Sequence, residues 1–310
     1  MRLDLDFDKK REFEVFDGQT VRFRLRDIAV EPGKRVSLRD EYDPGFTGGF
    51  NGKSGALERI ASNVGRMAEL QEILYAQDTY SILMIFQAMD AAGKDGAIRH
   101  VMSGINPQGC HVTSFKEPSA QELHHDFLWR AYSALPSRGM IGIFNRSYYE
   151  DVLVVRVHPE LLKLQKLPKE ACDKDIWDRR YKEINNFEKY LVDNGTVILK
   201  FFLNISKDEH KKRFLARIDE PDKNWKFSPS DFKERGHWQD YQRAFEEMLS
   251  NTSTERAHWF VIPSDNKWFA RLAISQIVIS MLESLDLKVP KVDDARRKEL
   301  ADIRELLLKE

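Results

Sequence analysis

Apolar positions along the chain alternate between short continuous runs and helical repeats. Residues 82–86 form a run with the length and β-branched content of a buried parallel strand. From Ala97 onward, apolar residues recur at three- and four-residue spacing, which predicts a helix. The residues between them, 88–93, are mostly small. This order of strand, small-residue loop and helix is typical of a phosphate-binding loop, because small side chains let backbone N–H groups approach an anion closely.

The same alternation continues to the end of the chain and predicts a parallel sheet covered by helices on both faces. We therefore expect a three-layer α/β fold. The predicted strands after the first are 111–118, 140–144, 197–203 and 259–262. The predicted helices are 57–75, 119–135 with a Ser119–Glu122 capping box, 169–193, a basic helix capped by Ser206, 237–249, 268–287 and a charged helix from 293.

The loop at 88–93 departs from the usual G-x-x-x-x-G-K-[ST] pattern in two places. Ala88 replaces the first glycine, and Asp95 replaces the hydroxyl residue that would ligate Mg²⁺. Asp90 supplies a carboxylate inside the loop, so the metal-binding task is predicted to lie there. Lys94 provides a mobile charge for a transferring phosphate. The alternative is an ordinary strand-to-helix turn with a solvated lysine.

Charged residues also follow the third predicted strand, at the edge where α/β sheets bind ligands. Arg146 and Glu150 come directly after it, and Arg156 follows further along. Phosphoryl transfer requires positive charge and positioning around the transferred group, which this inventory would supply. The alternative is simple ion pairing of the arginines with Glu150 and Asp151.

A third group of cations lies between residues 207 and 236, in a segment that includes a proline-punctuated loop from about 219. The motif NWKFSP at 224–229 is neither a plain linker nor a regular helical pattern. We interpret this segment as a mobile lid that closes over substrate. Acidic neighbours keep open the alternative of a solvated surface helix.

Composition narrows the class of protein. Charged residues make up 32% of the chain but nearly cancel, with a formal net charge of −1, so a polyanion must be met by a local cluster. Two cysteines support no disulfide framework, and neither a signal peptide nor a membrane-length apolar run is found. We expect a cytoplasmic protein without nucleic-acid or membrane partners.

Five motifs together resemble the polyphosphate kinase 2 family, and the resemblance covers about residues 30–290. They are FQAMDAAGKDG at 86–96, TSFKEPS at 113–119, HDFLWR at 125–130, FNRSYYEDVL at 144–153 and NWKFS at 224–228. The resemblance implies a thymidylate-kinase-like P-loop fold, Mg²⁺-dependent use of inorganic polyphosphate, and a homo-oligomer, either dimer or tetramer. The sequence pattern divides the chain into three regions: an N-terminal arm (1–54) that ends in a Gly-rich stretch, a kinase domain (55–290) and a charged C-terminal helix (291–310).

The resemblance assigns roles to single residues. Asp90, Lys94, Arg146 and Arg156 match the family's active-site carboxylate, lysine and arginines, and Arg213, Arg217 and Lys226 fall in its lid. Asn145 stands at the position of the family's Walker B aspartate. With asparagine there, this sequence resembles the subgroup that accepts both AMP and ADP. Glu150 is then the candidate second metal ligand beside Asp90. The remaining candidates for phosphate or nucleotide binding are Ala91, Ala92, Gly93, Asp95, Gly96 and Lys116.

The expected reaction is phosphoryl transfer from polyphosphate to ADP and AMP with Mg²⁺, for which Mn²⁺ could substitute, yielding ATP. Two alternatives stay open at this point. An ATP-dependent nucleoside monophosphate kinase would need a pocket for the donor's adenine. A non-catalytic polyphosphate-binding protein would not need Asp90 and Lys94, and both are present.

Overall fold

A computed structural model describes residues 11–14, 20–50 and 52–310, and its centre is a sheet of five parallel strands. A separate antiparallel hairpin pairs the first two strands of the chain. The strands are β1 (Arg11–Glu14), β2 (Thr20–Phe23), β3 (Ser81–Gln87), β4 (Cys110–Ser114), β5 (Ile141–Asn145), β6 (Thr196–Asn204) and β7 (Trp259–Pro263).

The α-helices of the described residues range from single turns of four residues to a helix of 24 residues. The α-helices are α1 (Leu38–Glu41), α2 (Ser54–Gln77), α3 (Lys94–Val101), α4 (Trp129–Tyr132), α5 (Val154–Val157), α6 (Ile176–Asp193), α7 (Lys207–Asp219), α8 (Pro229–Gly236), α9 (Trp238–Thr252), α10 (Lys267–Ser284) and α11 (Asp294–Leu307). Short 3₁₀ helices span Leu25–Asp27, Pro107–Gly109, Glu122–His124, Tyr148–Val152, Pro159–Gln165, Lys169–Ala171 and Pro221–Lys226.

The strand order β4-β5-β3-β6-β7 places β3 in the middle of the sheet. From β3 the chain first adds strands on one side and then crosses to the other. In such sheets a ligand crevice forms beyond the carboxyl ends of the strands, near the point where the order reverses. All seven residues of β3 are buried, since helices cover both faces. The predicted all-parallel α/β architecture is confirmed.

The core contains one fully buried ion pair. Lys200 of β6 lies 2.7 Å from Glu188 of α6, and its ammonium also donates to the carbonyl oxygen of Thr252 at 2.6 Å. The hydroxyls of Tyr148 and Tyr149 both donate to Glu188. A buried charge is tolerated when it is paired and its remaining polar atoms are satisfied. This network anchors the segment that follows β5.

Two predicted helices are shorter than the sequence pattern indicated. Ser119 and Glu122 make both hydrogen bonds of the predicted capping box, but the helix stops after one 3₁₀ turn. The carboxylate and carbonyl oxygens of Asp126 start a new turn that becomes α4. The predicted helix 169–193 likewise begins only at Ile176, after a turn in which Asp173 accepts from the N–H of Asp175.

The lid segment (residues 207–236) is helical where a loop was predicted after residue 219. Pro221 begins a 3₁₀ helix and Pro229 begins α8. Proline is well suited to the first helical position, because its missing N–H would have no partner there and its φ is already helical. The two prolines therefore initiate helices here, so the predicted loop is wrong.

The ends of the chain differ in how they meet the core. Within the predicted arm, the backbone N–H of Val30 donates to the carbonyl oxygen of Trp259. The carbonyl oxygen of Ile28 accepts from the N–H of Val261, so residues 28–30 pair with the edge of β7. Residues 1–10, 15–19 and 51 of that arm lie outside the described residues. The predicted C-terminal helix is present as α11, capped by Asp293, with its residues exposed.

None of the described helices is long and apolar enough to span a membrane.

Candidate functional site

A cleft of about 640 Å³ opens beyond the carboxyl ends of the central strands. The loop after β3, the segments after β4 and β5, one face of α7 and the start of α10 form its walls. Ten lysines and arginines but only three carboxylates line it, among the residues that the structure describes. The cleft thus concentrates positive charge in a chain whose formal net charge is −1.

The loop at 88–93 has the conformation of an anion-binding loop. Ala91 and Gly93 are left-handed, with φ values of 62° and 109°, and a left-handed alanine costs about 1–2 kcal/mol. No described protein acceptor takes the amide hydrogens of Asp90, Ala91 and Gly93. Free N–H groups beside the N-terminus of α3 are suited to binding phosphate oxygens.

Side chains hold the carbonyl groups of this loop. Lys94, His210 and Arg213 donate hydrogen bonds to five consecutive carbonyl oxygens. The acceptors are Ala88 and Met89 for Lys94, Asp90 for His210, and Ala91 and Ala92 for Arg213. Because the carbonyl groups are fixed by these bonds, the loop does not depend on a ligand for its shape.

Lys94 is placed as predicted, on the wall of the cleft at the start of α3. Its ammonium lies 2.9 Å from the carbonyl oxygen of Ala88 and is almost fully buried. Burial lowers the pKa of Lys94, and the negative charge of Asp90 opposes that change. A phosphate entering the cleft would therefore meet a desolvated cation, which strengthens their attraction.

Asp90 and Arg146 meet across the cleft floor. Arg146 directly follows β5 with a left-handed φ of 63° and donates to the Asp90 carboxylate at 2.6 Å. Burial raises the pKa of Asp90, but the positive charges of Lys94 and Arg146 outweigh it and hold that pKa below its ordinary value. Asp90 is therefore ionised at neutral pH.

Glu150 does not line the cleft. Its carboxylate lies 3.8 Å from the other terminal nitrogen of Arg146, so the guanidinium stands between Asp90 and Glu150. Glu150 lines a small adjoining cavity of about 30 Å³, together with Asp90 and Asp231. Burial raises the pKa of Glu150, and the positive charge of Arg146 opposes that change without reversing it.

Asn145 and Asp95 form a second polar pair on the cleft wall. The Asn145 side chain donates to the Asp95 carboxylate at 2.7 Å. Asp95 lies in the first turn of α3, where the helix dipole favours a negative charge. The carboxylate of Asp95 therefore accepts a hydrogen bond from Asn145 at the position where the usual loop pattern has a hydroxyl residue.

The lid cations predicted to bind substrate are of two kinds: those already bound to protein groups, and those still able to bind a ligand. Arg213 is buried, and its guanidinium also donates to Glu209, Ser264 and Asp265 besides the loop carbonyls. Arg217 pairs with Asp231 at 3.1 Å. Lys226 lies over the ring of Trp225 at 5.0 Å, with its charge toward the cleft lining. The guanidinium of Arg213 therefore stabilises the loop, and few of its N–H groups are left to bind a ligand.

Most of the predicted site residues meet in the cleft, and Arg156 does not. Arg156 pairs with Glu247 at 2.8 Å and packs against Trp177, away from the cleft lining. The residues that the structure brings to the cleft as predicted are Asp90, Ala91, Ala92, Gly93, Lys94, Asp95, Gly96, Lys116, Asn145, Arg146, Arg213, Arg217 and Lys226.

Sequence reasoning missed four residues at or beside the cleft: Arg99, His210, Lys267 and Arg271. For Arg271 a signal was present, since it is the one charged residue within 269–282, an otherwise apolar and uncharged stretch. Arg99 and His210 carry no such signal, because their position depends on how distant helices pack.

An anion-binding loop at the carboxyl edge of a parallel sheet, inside a cationic cleft, defines a phosphotransferase of the P-loop kinase class. The family described as Polyphosphate kinase 2 (PPK2) matches residues 52–290. The chain belongs to that family, which confirms the resemblance.

Relatives and solved structures agree with this assignment. An ADP-polyphosphate phosphotransferase of Rhodopseudomonas palustris is 51% identical over 302 residues, covering 97% of this chain and 99% of the relative. An AMP/ADP-polyphosphate phosphotransferase of Meiothermus ruber is 44% identical over 88% of this chain and 98% of its own. The crystal structure of polyphosphate kinase 2 from Arthrobacter aurescens TC1 superposes with a TM-score of 0.78 at 43% identity, covering 88% of this chain and 99% of that chain.

Proposed function

We propose that this protein transfers a terminal phosphoryl group from inorganic polyphosphate to ADP and to AMP. The observation that carries the proposal is the cleft with ten cations and three carboxylates around a loop with free amides, in the described part of a chain without net positive charge. The names of the relatives from R. palustris and M. ruber support the same donor and acceptors.

The chemistry follows from charge. The attacking atom is a terminal phosphate oxygen of the nucleotide, which is ionised near neutral pH because its second pKa is about 6. No general base is needed. The barrier is the approach of two anions, which Lys94, Arg146 and the loop amides lower by stabilising the charge of the transferred group.

A divalent metal fits the carboxylates that the cleft presents. Mg²⁺ commonly takes one or two protein carboxylates and completes its shell with water and substrate phosphates. No cluster of three or more candidate ligand residues occurs in the described ranges, which suits such a shared shell. We propose Asp90 as the ligand for Mg²⁺ or Mn²⁺; when bound, the ion neutralises phosphate charge. Glu150 could join only if Arg146 moved from between them.

Further proposals concern the setting of the reaction. Arg156 would act through packing of α5 against α9 and α6, since its guanidinium contacts Glu247 of α9 and Trp177 of α6. The protein is proposed to be a cytoplasmic homo-oligomer, dimer or tetramer, without nucleic-acid or membrane partners. ATP is then the product from ADP, and ADP the product from AMP.

One experiment tests the function directly. AMP, ADP and GDP are each incubated with polyphosphate and Mg²⁺, and the products are followed over time. A parallel reaction supplies ATP as the sole donor. Transfer from ATP to a monophosphate but none from polyphosphate would favour a nucleoside monophosphate kinase. Binding of polyphosphate without any transfer would favour the non-catalytic alternative.

A further inference from the structure

Three cations on one wall of the cleft come from two helices that pack on each other. Arg99 comes from α3, and Lys267 and Arg271 come from α10. Within the described residues, none of the three forms an ion pair or donates a side-chain hydrogen bond. Two arginines of the lid differ, because Arg213 is bound to carbonyl oxygens and Arg217 to Asp231.

The position of these charges on α10 is unfavourable for the helix itself. Lys267 and Arg271 are four residues apart, so like charges face each other on one side of α10. They lie near its N-terminal end, where the helix dipole disfavours cations, and no acidic residue occupies the first turn. Folding alone gives no reason to place them there, which indicates an anion from outside the chain.

The three charges also lie next to the phosphate-binding loop. α10 packs on α3, and a Cβ atom added to Gly96 would lie 3.9 Å from a terminal nitrogen of Arg271. The guanidinium of Arg271 is therefore over the first turn of α3, beside Gly96. An anion that reaches from the loop along this wall would meet Arg271, with Arg99 and Lys267 near it in the same cleft lining.

We infer that Arg99, Lys267 and Arg271 bind the donor polyphosphate beyond its transferred phosphate, so that the polymer runs along α3 and α10. This inference rests on the proposed function. A long polyanion matches a row of unpaired cations, whereas the acceptors AMP and ADP carry only one and two phosphates. Burial and then the charge of Arg99 lower the pKa of Arg271, a change that a bound polyanion would oppose.

The test compares two variants that lose the same charge. The first is Arg99→Gln/Lys267→Gln/Arg271→Gln. The control is Lys169→Gln/Lys174→Gln/Lys182→Gln, in which three exposed lysines lie outside both the lid segment and the cleft lining. KM is measured for a long polyphosphate, for tripolyphosphate and for ADP, at fixed ionic strength and free Mg²⁺.

We expect the cleft variant to raise KM for the long polymer by about tenfold or more, as three screened contacts are lost. KM for ADP should change by less than about threefold, because the acceptor does not reach this wall. KM for tripolyphosphate should rise less than KM for the long polymer, because it extends only two phosphates beyond the transferred one. The control should leave all three values near those of the unmodified protein. Removal of repelling charges should keep the unfolding midpoint unchanged or raise it; if the triple variant does not fold, Arg271→Gln alone is used.

Other results would overturn the inference. An unchanged KM for the long polymer means that the donor runs elsewhere, and a raised KM for ADP means that the wall binds the acceptor. If the unmodified protein shows no transfer from polyphosphate, the proposed function fails separately. Equilibrium binding of long polyphosphate to both variants then decides the subsite: equal affinity contradicts it, and selective loss in the cleft variant supports it.

Discussion

The guanidinium of Arg146 donates a hydrogen bond of 2.6 Å to the carboxylate of Asp90, joining the end of β5 to the phosphate-binding loop. Both residues line the cleft, and Lys94 adds its charge to the same pair. Under the proposed function, Arg146 would exchange Asp90 for a phosphate oxygen at the cleft floor, and the Asp90 carboxylate would then be available to hold a divalent metal.

We predict that Asp90→Ala and Lys94→Ala each lower kcat by at least about 10²-fold, the scale of roughly 3 kcal/mol for one transition-state charge partner. The measurement is turnover of ADP with polyphosphate and Mg²⁺. Lys182→Ala, on the exposed surface of α6, is the matched control and should keep full activity. A folded Asp90 or Lys94 variant with near-normal turnover would contradict the assignment.

The parts of the site that are formed by residues close together in the sequence could be predicted from it. The phosphate-binding loop and the polar residues after β5 each follow a strand that its apolar run identifies. Arg99 could not be predicted, and Arg271 was missed although its charge interrupts an apolar stretch, since the two come together only when α3 packs on α10. The second half of the lid segment was predicted as a loop because Pro221 and Pro229 indicate helix breaks, although proline also begins helices.

Arg213 is predicted to support the loop instead of the polymer. Its buried guanidinium donates to Ala91 and Ala92, so Arg213→Gln leaves carbonyl groups unsatisfied, at about 1–3 kcal/mol each. We expect a lower unfolding midpoint and a kcat reduced by about tenfold or more. The dependence of polyphosphate KM on salt should keep the slope of the unmodified protein. A flatter slope with normal stability would instead place Arg213 on the substrate.

His210 should make stability fall in acid. Burial, and then the charge of Arg235, lowers the pKa of His210 to about 4. The unfolded chain, with a histidine pKa near 6.5, therefore binds the proton first as the pH falls. This group alone should remove about 2 kcal/mol of unfolding free energy between pH 8 and pH 5.

His210→Gln tests that dependence. A glutamine can still donate to the Asp90 carbonyl oxygen but does not titrate, so the loss between pH 8 and pH 5 should shrink by about 2 kcal/mol. His258, whose pKa burial also lowers to about 4, retains its own contribution. His111→Gln, on the exposed edge of β4, serves as the control. Equal acid dependence in the His210 variant and the unmodified protein would exclude this account.

The buried pair of Lys200 and Glu188 gives a prediction about stability alone. Lys200→Met leaves the Glu188 carboxylate buried without its cation and should cost about 3–5 kcal/mol of unfolding free energy, measured with urea. Adding Glu188→Gln removes the uncompensated charge, so the double variant should be more stable than Lys200→Met. If the double variant is the less stable of the two, the network is held by packing and not by charge compensation.

Asn145 is predicted to set the range of acceptors. Its amide donates to Asp95 at 2.7 Å, so Asn145→Asp would bring two carboxylates together on the cleft wall. Their repulsion would raise the pKa of one carboxylate or draw a metal between them, and either outcome changes the charge that an AMP or ADP phosphate meets. We expect the ratio of AMP to ADP turnover to change several-fold, about 1 kcal/mol, with a smaller change in stability.

Two further variants separate charge from geometry in that result. Asn145→Ala removes the hydrogen bond without adding charge and should shift the ratio less than Asn145→Asp. The exchange Asp95→Asn/Asn145→Asp restores one amide and one carboxylate, so it should return the AMP to ADP ratio toward that of the unmodified protein. If Asn145→Asp stays active with an unchanged ratio, Asn145 has no part in acceptor choice. The selectivity would then have to come from residues that contact the nucleoside.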